Sequence, residues 1–141
     1  MRKRILLADD DNAVRESLGR VLESEDYEVM LACTGREAVR HFSANAPDLV
    51  LLDLNMPDKD GWEAFDLMEK VHPLIPTIII TARPHQHQRA NGVGIDALME
   101  KPLDLPLLLQ TIRRLLDESD EQRLARLTNS KFNTLVLAPA R

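Results

Sequence analysis

The sequence predicts an α/β protein built on a doubly wound parallel sheet, and three observations lead there. Strand-like and amphipathic helix-like segments alternate through about the first 115 residues, the pattern of βα units joined by crossovers. The runs LVLLD and TIIIT, beginning at Leu49 and Thr77, are apolar at successive positions, as strands covered on both faces are. Four apolar runs stop at polar or charged residues: 5–8 before Asp9 and Asp10, 49–52 before Asp53, 78–80 before Thr81, and 97–99 before Glu100 and Lys101.

The elements follow in order. Residues 5–8 form the first strand. A helix over about 13–24 places Val14, Leu18, Val21 and Leu22 on one face, with Asp11 or Asn12 as N-cap. Residues 27–32 are a second strand, and Thr34 caps a helix carrying Ala38, Val39 and Phe42, closed by Pro47. After the third strand at 49–52, a loop with Pro57 and Gly61 leads into a helix over about 62–71, which ends before Pro73. Trp62 belongs to the packing of that helix. Residues 76–80 are the fourth strand, and the polar, glycine-punctuated segment 84–94 allows only a brief helix. Residues 97–100 are the fifth strand. The helix over 105–116 spaces Leu105, Leu108, Ile112 and Leu115 along one face.

Residues 1–117 thus form one domain. Residues 118–141 read as a C-terminal tail: a polar stretch, a weak helical continuation through Leu124 and Leu127, then Leu135, Val136 and Leu137 before Pro139. It is too short for a separate effector domain.

Composition narrows the setting. A chain of 141 residues buries enough surface to fold without disulfides or structural metals. The single Cys33 has no partner in the chain, which fits a reducing cytoplasm. The apolar run after the basic residues 2–4 is shorter than the ~7–15 residues of a signal-peptide core, and no run approaches the ~20 of a membrane span. The formal charge of −5 argues against direct nucleic-acid binding, which needs a concentrated basic surface. Arg113 and Arg114 read as a solvated helix face, and His85 and His87, two residues apart, diverge on a helix and make a poor metal pair.

Ligands of open α/β sheets bind beyond the carboxyl ends of the strands, where Asp9, Asp10, Asp53, Thr81 and Lys101 would gather. Converging carboxylates raise one another's pKa unless a cation joins them. Mg²⁺ is the natural remedy, because it takes one or two carboxylates, waters and a substrate phosphate. With one divalent ion and the Lys101 ammonium, the charges of Asp9, Asp10 and Asp53 cancel. The site would then present positive groups to a phosphoryl, and an aspartate can serve as nucleophile.

At these residues the chain resembles the receiver domains of two-component response regulators, over about residues 3–116. The resemblance rests on Asp9-Asp10, the segment DLNMPDKDG from Asp53 to Gly61, Thr81-Ala82 and Lys101-Pro102, each after its own strand. It implies a flavodoxin-like (βα)5 fold with five parallel strands in the order 2-1-3-4-5. Asp53 then resembles the phosphoacceptor, supplied by a phosphohistidine on a sensor histidine kinase or a phosphotransfer protein. Asp10 and Asp53 resemble direct Mg²⁺ ligands, Asn55 the ligand through its backbone carbonyl, and Asp9 a ligand through water. Lys101 resembles the lysine that pairs with the phosphoryl oxygen, Thr81 the hydroxyl that moves to it, and Pro102 a proline after a cis peptide. Arg83 and Asn55 take the positions near the entrance that influence water access. A downstream protein would dock on the face of the fourth helix, fifth strand and fifth helix, and the tail could modify that face or support a homodimer.

Leu98 departs from the family, which usually has Tyr or Phe there, and Leu103 stands where Phe is common. The phosphoryl chemistry does not need those rings, whereas the route from Thr81 outward does. Three other readings compete. A flavodoxin-like electron carrier needs a phosphate loop, not Asp9-Asp10-Asp11. A Mg²⁺-dependent aspartyl-phosphate phosphatase usually has a general acid where Asn55 stands. A receiver-like interaction module without phosphorylation would not need every reactive residue.

Overall fold

The computed structural model describes residues 2–140. The elements are β1 (Arg4–Ala8), α1 (Asn12–Ser24), β2 (Glu28–Ala32), α2 (Gly35–Ala44), β3 (Leu49–Asp53), α3 (Gly61–Val71), β4 (Thr77–Thr81), α4 (His87–Val93), β5 (Ala97–Glu100), α5 (Leu105–Asp117), α6 (Asp120–Thr128) and β6 (Leu135–Leu137).

Local chemistry sets the helix starts. The side chains of Asp11, Thr34, Asp60 and Asp104 accept backbone N–H bonds at the starts of α1, α2, α3 and α5, satisfying donors that have no partner inside the helix. At the other end of α4, Gly94 takes the left-handed conformation at φ 82°, which a residue with a Cβ adopts only at a cost.

Strand alternation assigns the two layers. Leu6, Ala8, Val50, Leu52, Ile79 and Leu98 face one side and pack with Phe42 of α2, Trp62, Phe65 and Met68 of α3, and Ala90 of α4. Ile5, Leu7, Leu49, Leu51, Ile78, Ile80 and Met99 face the other side, against Leu18 and Leu22 of α1 and Leu108, Ile112 and Leu115 of α5. Covering both faces removes nearly all of each central strand from water, as the continuous apolar runs required. Trp62 packs as expected, 4% exposed, with its Nε1–H donating to Gln86.

The parallel sheet has the order β2-β1-β3-β4-β5-β6. Its first five strands follow the expected order, and the sixth is an addition. The tail is not a continuation of α5: the backbone leaves the helix at Glu118, and Ser119 starts α6 with a reciprocal capping box through Gln122. The chain then pairs Leu135, Val136 and Leu137 with Ala97, Leu98 and Met99. β5 is therefore an inner strand, and the surface expected to receive a downstream partner is partly covered by the chain itself. Periodicity could not reveal β6, because it has three residues and the middle one, Val136, is 57% exposed.

Candidate functional site

The sheet reverses its direction of growth at β1, which has β2 on one side and β3 on the other. Such a switch point opens a crevice beyond the strand ends. Asp9 and Asp10 follow β1 there, Asp53 ends β3, Thr81 ends β4 and Lys101 follows β5.

Asp9 and Asp53 are buried, and Asp10 is exposed at the rim. One carboxylate oxygen from each of the three lies within 4.8 Å of the others, a span that a hard cation with oxygen ligands at about 2.0–2.1 Å can bridge. The Lys101 ammonium donates to Asp9 Oδ2 at 2.9 Å and lies 3.5 Å from Asp53 Oδ2. Asp53 Oδ1 accepts the Asn55 N–H at 3.2 Å, and Asp9 Oδ1 accepts the Asp11 N–H at 2.9 Å. Thr81 is fully buried, and its Oγ1 accepts the Arg83 N–H at 2.9 Å. Arg83 in turn reaches Asn55 Oδ1 at 3.4 Å, so the two residues expected near the entrance meet there.

Burial and the crowding of like charges dominate the electrostatics of the site. Burial, then the charge of Asp9, pushes Asp53 up to about 6, against the opposing Asn55 N–H and Lys101. Burial alone would lower Lys101, but the carboxylates of Asp9 and Asp53 outweigh it and hold the ammonium above its usual value. Asp53 in the folded chain thus keeps its proton to a higher pH than the unfolded carboxylate, whose value is 3.8. Its contribution to stability is greatest below that value and is lost as pH rises through about 6. In chelator at pH 7.5, Asp53→Asn is expected to stabilise the fold by about 1–2 kcal/mol, less than the full ~3 kcal/mol of a two-unit shift because the buried amide has a desolvation cost of its own. Urea unfolding of both proteins measures this, and a variant no more stable than the wild type would refute the electrostatic account.

Sequence reasoning passed over two supporting residues. A Cβ on Gly61 would lie 2.6 Å from both the Asp53 carbonyl oxygen and the Leu54 Cα, so only glycine lets α3 begin against the strand end that carries Asp53. Arg15 donates from Nη1 to the Asp9 carbonyl at 2.8 Å and pins the acidic loop to α1. Gly61 stood within the quoted motif, but nothing in the sequence distinguishes Arg15 from a solvated helix arginine.

A doubly wound sheet with an acidic cluster, a hydroxyl and a lysine at its switch-point edge defines the receiver class of signalling domain. The chain belongs to the response regulator receiver domain family, whose model matches residues 5–113; these domains serve two-component systems. The response regulator MprA of Mycobacterium bovis is 37% identical over 141 residues, covering 99% of this chain and 61% of the relative. MprA of Mycobacterium leprae is 38% identical over 138 residues, covering 96% of this chain and 60% of the relative. The chain therefore spans about three fifths of the length of these relatives. Among solved structures, a CheY-like receiver domain protein from Methanospirillum hungatei superposes with a TM-score of 0.79 at 32% identity, covering 89% of this chain and 99% of that one. The response regulator TrrA from Thermotoga maritima, solved in complex with Mg²⁺-BeF, gives 0.74 at 32% identity and covers 80% and 98%. Among the described residues, no helix is long and apolar enough to cross a membrane.

Proposed function

We propose that this receiver accepts a phosphoryl group on Asp53, with Mg²⁺ held by Asp10, Asp53 and the Asn55 backbone carbonyl, and with Asp9 acting through water. The observation that carries the reading is the cluster of buried Asp53 with Asp9 and Asp10, their oxygens within 4.8 Å of one another, and the Lys101 ammonium 2.9 and 3.5 Å from Asp9 and Asp53. The complex of its relative TrrA with Mg²⁺-BeF supports the same chemistry here. When bound, Mg²⁺ would neutralise the carboxylates and the charge on the phosphoryl oxygens.

This chain's residues do the rest. An Asp53 oxygen attacks phosphorus as the bond to the donor's imidazole nitrogen breaks, and that nitrogen keeps the electron pair. Lys101 moves from Asp9 toward a phosphoryl oxygen, and Thr81 gives up the Arg83 N–H to donate its own hydroxyl proton to another. Asp53→Asn keeps the shape and removes the nucleophile. With acetyl phosphate and Mg²⁺, intact mass measurement should find a phosphoryl adduct on the wild type alone; no adduct, and no response to beryllofluoride, would leave an interaction module as the better account.

The donor is a sensor histidine kinase or phosphotransfer protein in the cytoplasm. An apolar groove of about 400 Å³ lies between α1 and the segment after Lys101, lined by Val14, Leu18, Val21, Pro102 and Leu105, and it adjoins the reactive edge. Residues 1–117 are the phosphoaccepting unit and 118–141 its attached tail, with no direct nucleic-acid contact. Arg83 and Asn55 close the entrance over Asp53 and slow the approach of water. The double variant Arg83→Ala, Asn55→Ala should lose its phosphoryl group about three- to tenfold faster, up to ~1.4 kcal/mol in barrier. Equal dephosphorylation rates would contradict that role.

A further inference from the structure

We propose that β6 is a displaceable strand: phosphorylation of Asp53 peels residues 135–140 from β5 and uncovers that strand's edge, while α6 stays fixed as the anchor. The inference rests on the phosphoacceptor reading above and adds an output to it.

The two ends of the tail are held in different ways. At the base of the sheet, Asp96 is fully buried just before β5 and receives Arg123 at 2.9 Å and Arg126 at 2.8 Å. Arg123, only 5% exposed, also donates to the Pro73 carbonyl, and Arg126 pairs with Glu118. Beyond α6, Thr134 is 2% exposed; its N–H donates to Asn91 of α4 and its hydroxyl to the Ile95 carbonyl. These contacts fix the tail up to residue 134.

Beyond Thr134 the hold weakens. β6 has three residues, none fully buried: Leu135 and Leu137 are half-buried against the core on the α5 side, and Val136 faces solvent. Leu135 N–H donates to the Asp96 carbonyl, at the fixed end. At the other end, Ala140 N–H donates to the Pro102 carbonyl at 2.9 Å. Because β6 runs parallel to β5, its far end arrives at the reactive edge and grips the residue next to Lys101.

That contact links the site to the strand. Lys101 is held by Asp9 and lies near Asp53, and its N–H donates to the Thr81 carbonyl at 2.7 Å. A phosphoryl group on Asp53 gives Lys101 and Thr81 new partners, and a shift of the Lys101-Pro102 backbone with them reaches the tail first at the half-buried Ala140, whose N–H is bonded to Pro102. Thr134 is the hinge, and Leu98, paired with Val136, lies on the strand whose edge is uncovered. Leu98 then needs no ring to report the switch, because the reporter is the strand beside it.

The test is amide hydrogen exchange on the full chain, with and without acetyl phosphate and Mg²⁺, with intact mass read on the same samples. Peptides covering 135–140 should exchange at least about tenfold faster in the phosphorylated protein, while those covering α6 stay unchanged. In Ala140→Pro, which lacks the N–H that binds Pro102, residues 135–138 should exchange fast already, and phosphorylation should add little. An adduct on Asp53 with unchanged or slowed exchange over 135–140, or an Ala140→Pro variant that behaves as wild type, overturns the inference. Absence of the adduct is read by mass, not exchange; it defeats the phosphoacceptor reading and removes the input on which this one depends.

Discussion

Replacing Asp96 with alanine is expected to destabilise the fold by about 3–5 kcal/mol, the usual cost of leaving a buried charge without its partner. Asp96 is fully buried, and three donors converge on its carboxylate: the Thr77 N–H at 2.8 Å, Arg123 at 2.9 Å and Arg126 at 2.8 Å. Alanine would strand Arg123 in a site only 5% exposed and leave the first N–H of β4 without an acceptor. Arg126 loses less, because Glu118 remains beside it. Asp96→Asn keeps an acceptor for Thr77 but not the charge, so it should fall between. Against a total stability of roughly 5–15 kcal/mol for a domain of this kind, the alanine change is severe. Denaturant unfolding measures it, and a loss below about 1 kcal/mol would mean the ion network is not fixed as described.

Lys101→Ala should slow phosphoryl acceptance from a small-molecule donor by about 10²–10³, the scale on which removing one preorganised charge-stabilising group acts. The ammonium has two tasks. Before reaction it offsets Asp9 and Asp53, 2.9 and 3.5 Å away; during reaction it meets the charge on the incoming phosphoryl. Without it the carboxylates repel one another, and the anionic donor meets a more negative edge. Mg²⁺ added in excess should recover the resting balance but not the rate, because a metal held by the carboxylates does not occupy the lysine's position. Rate measurements by intact mass across a Mg²⁺ series distinguish the two tasks, and full rescue by metal would assign Lys101 a resting role alone.

Much of this site was legible because the sheet converts sequence order into spatial convergence. Four strands that run the same way bring four separated stretches of sequence to one edge, and each apolar run marked its own end by a change to Asp, Thr or Glu-Lys. The fully buried β3 and β4 left no ambiguity of face, since both faces are apolar. The tail was legible only as a helical stretch through Leu124 and Leu127, which is α6; its contacts were hidden for the opposite reason. Arg123 and Arg126 lie in a polar helix and resemble solvated residues, and the carboxylate that claims them is 27 and 30 positions away. β6 is too short for an alternating pattern, and its pairing depends on a neighbour whose edge no local signal marks as open. Gly61 was visible only as a motif letter; the reason for it is the Asp53–Leu54 backbone, 2.6 Å from where a Cβ would sit.

The central claim is that Asp53, and neither Asp9 nor Asp10, carries the phosphoryl group. Borohydride reduces an acyl phosphate to an alcohol, so trapping the Mg²⁺ and acetyl phosphate reaction with it and mapping peptides by mass converts the claim into a residue number. Homoserine at position 53, and unmodified aspartate at 9 and 10, is the predicted result. Homoserine at either of those positions, or at none of the three, would contradict the account.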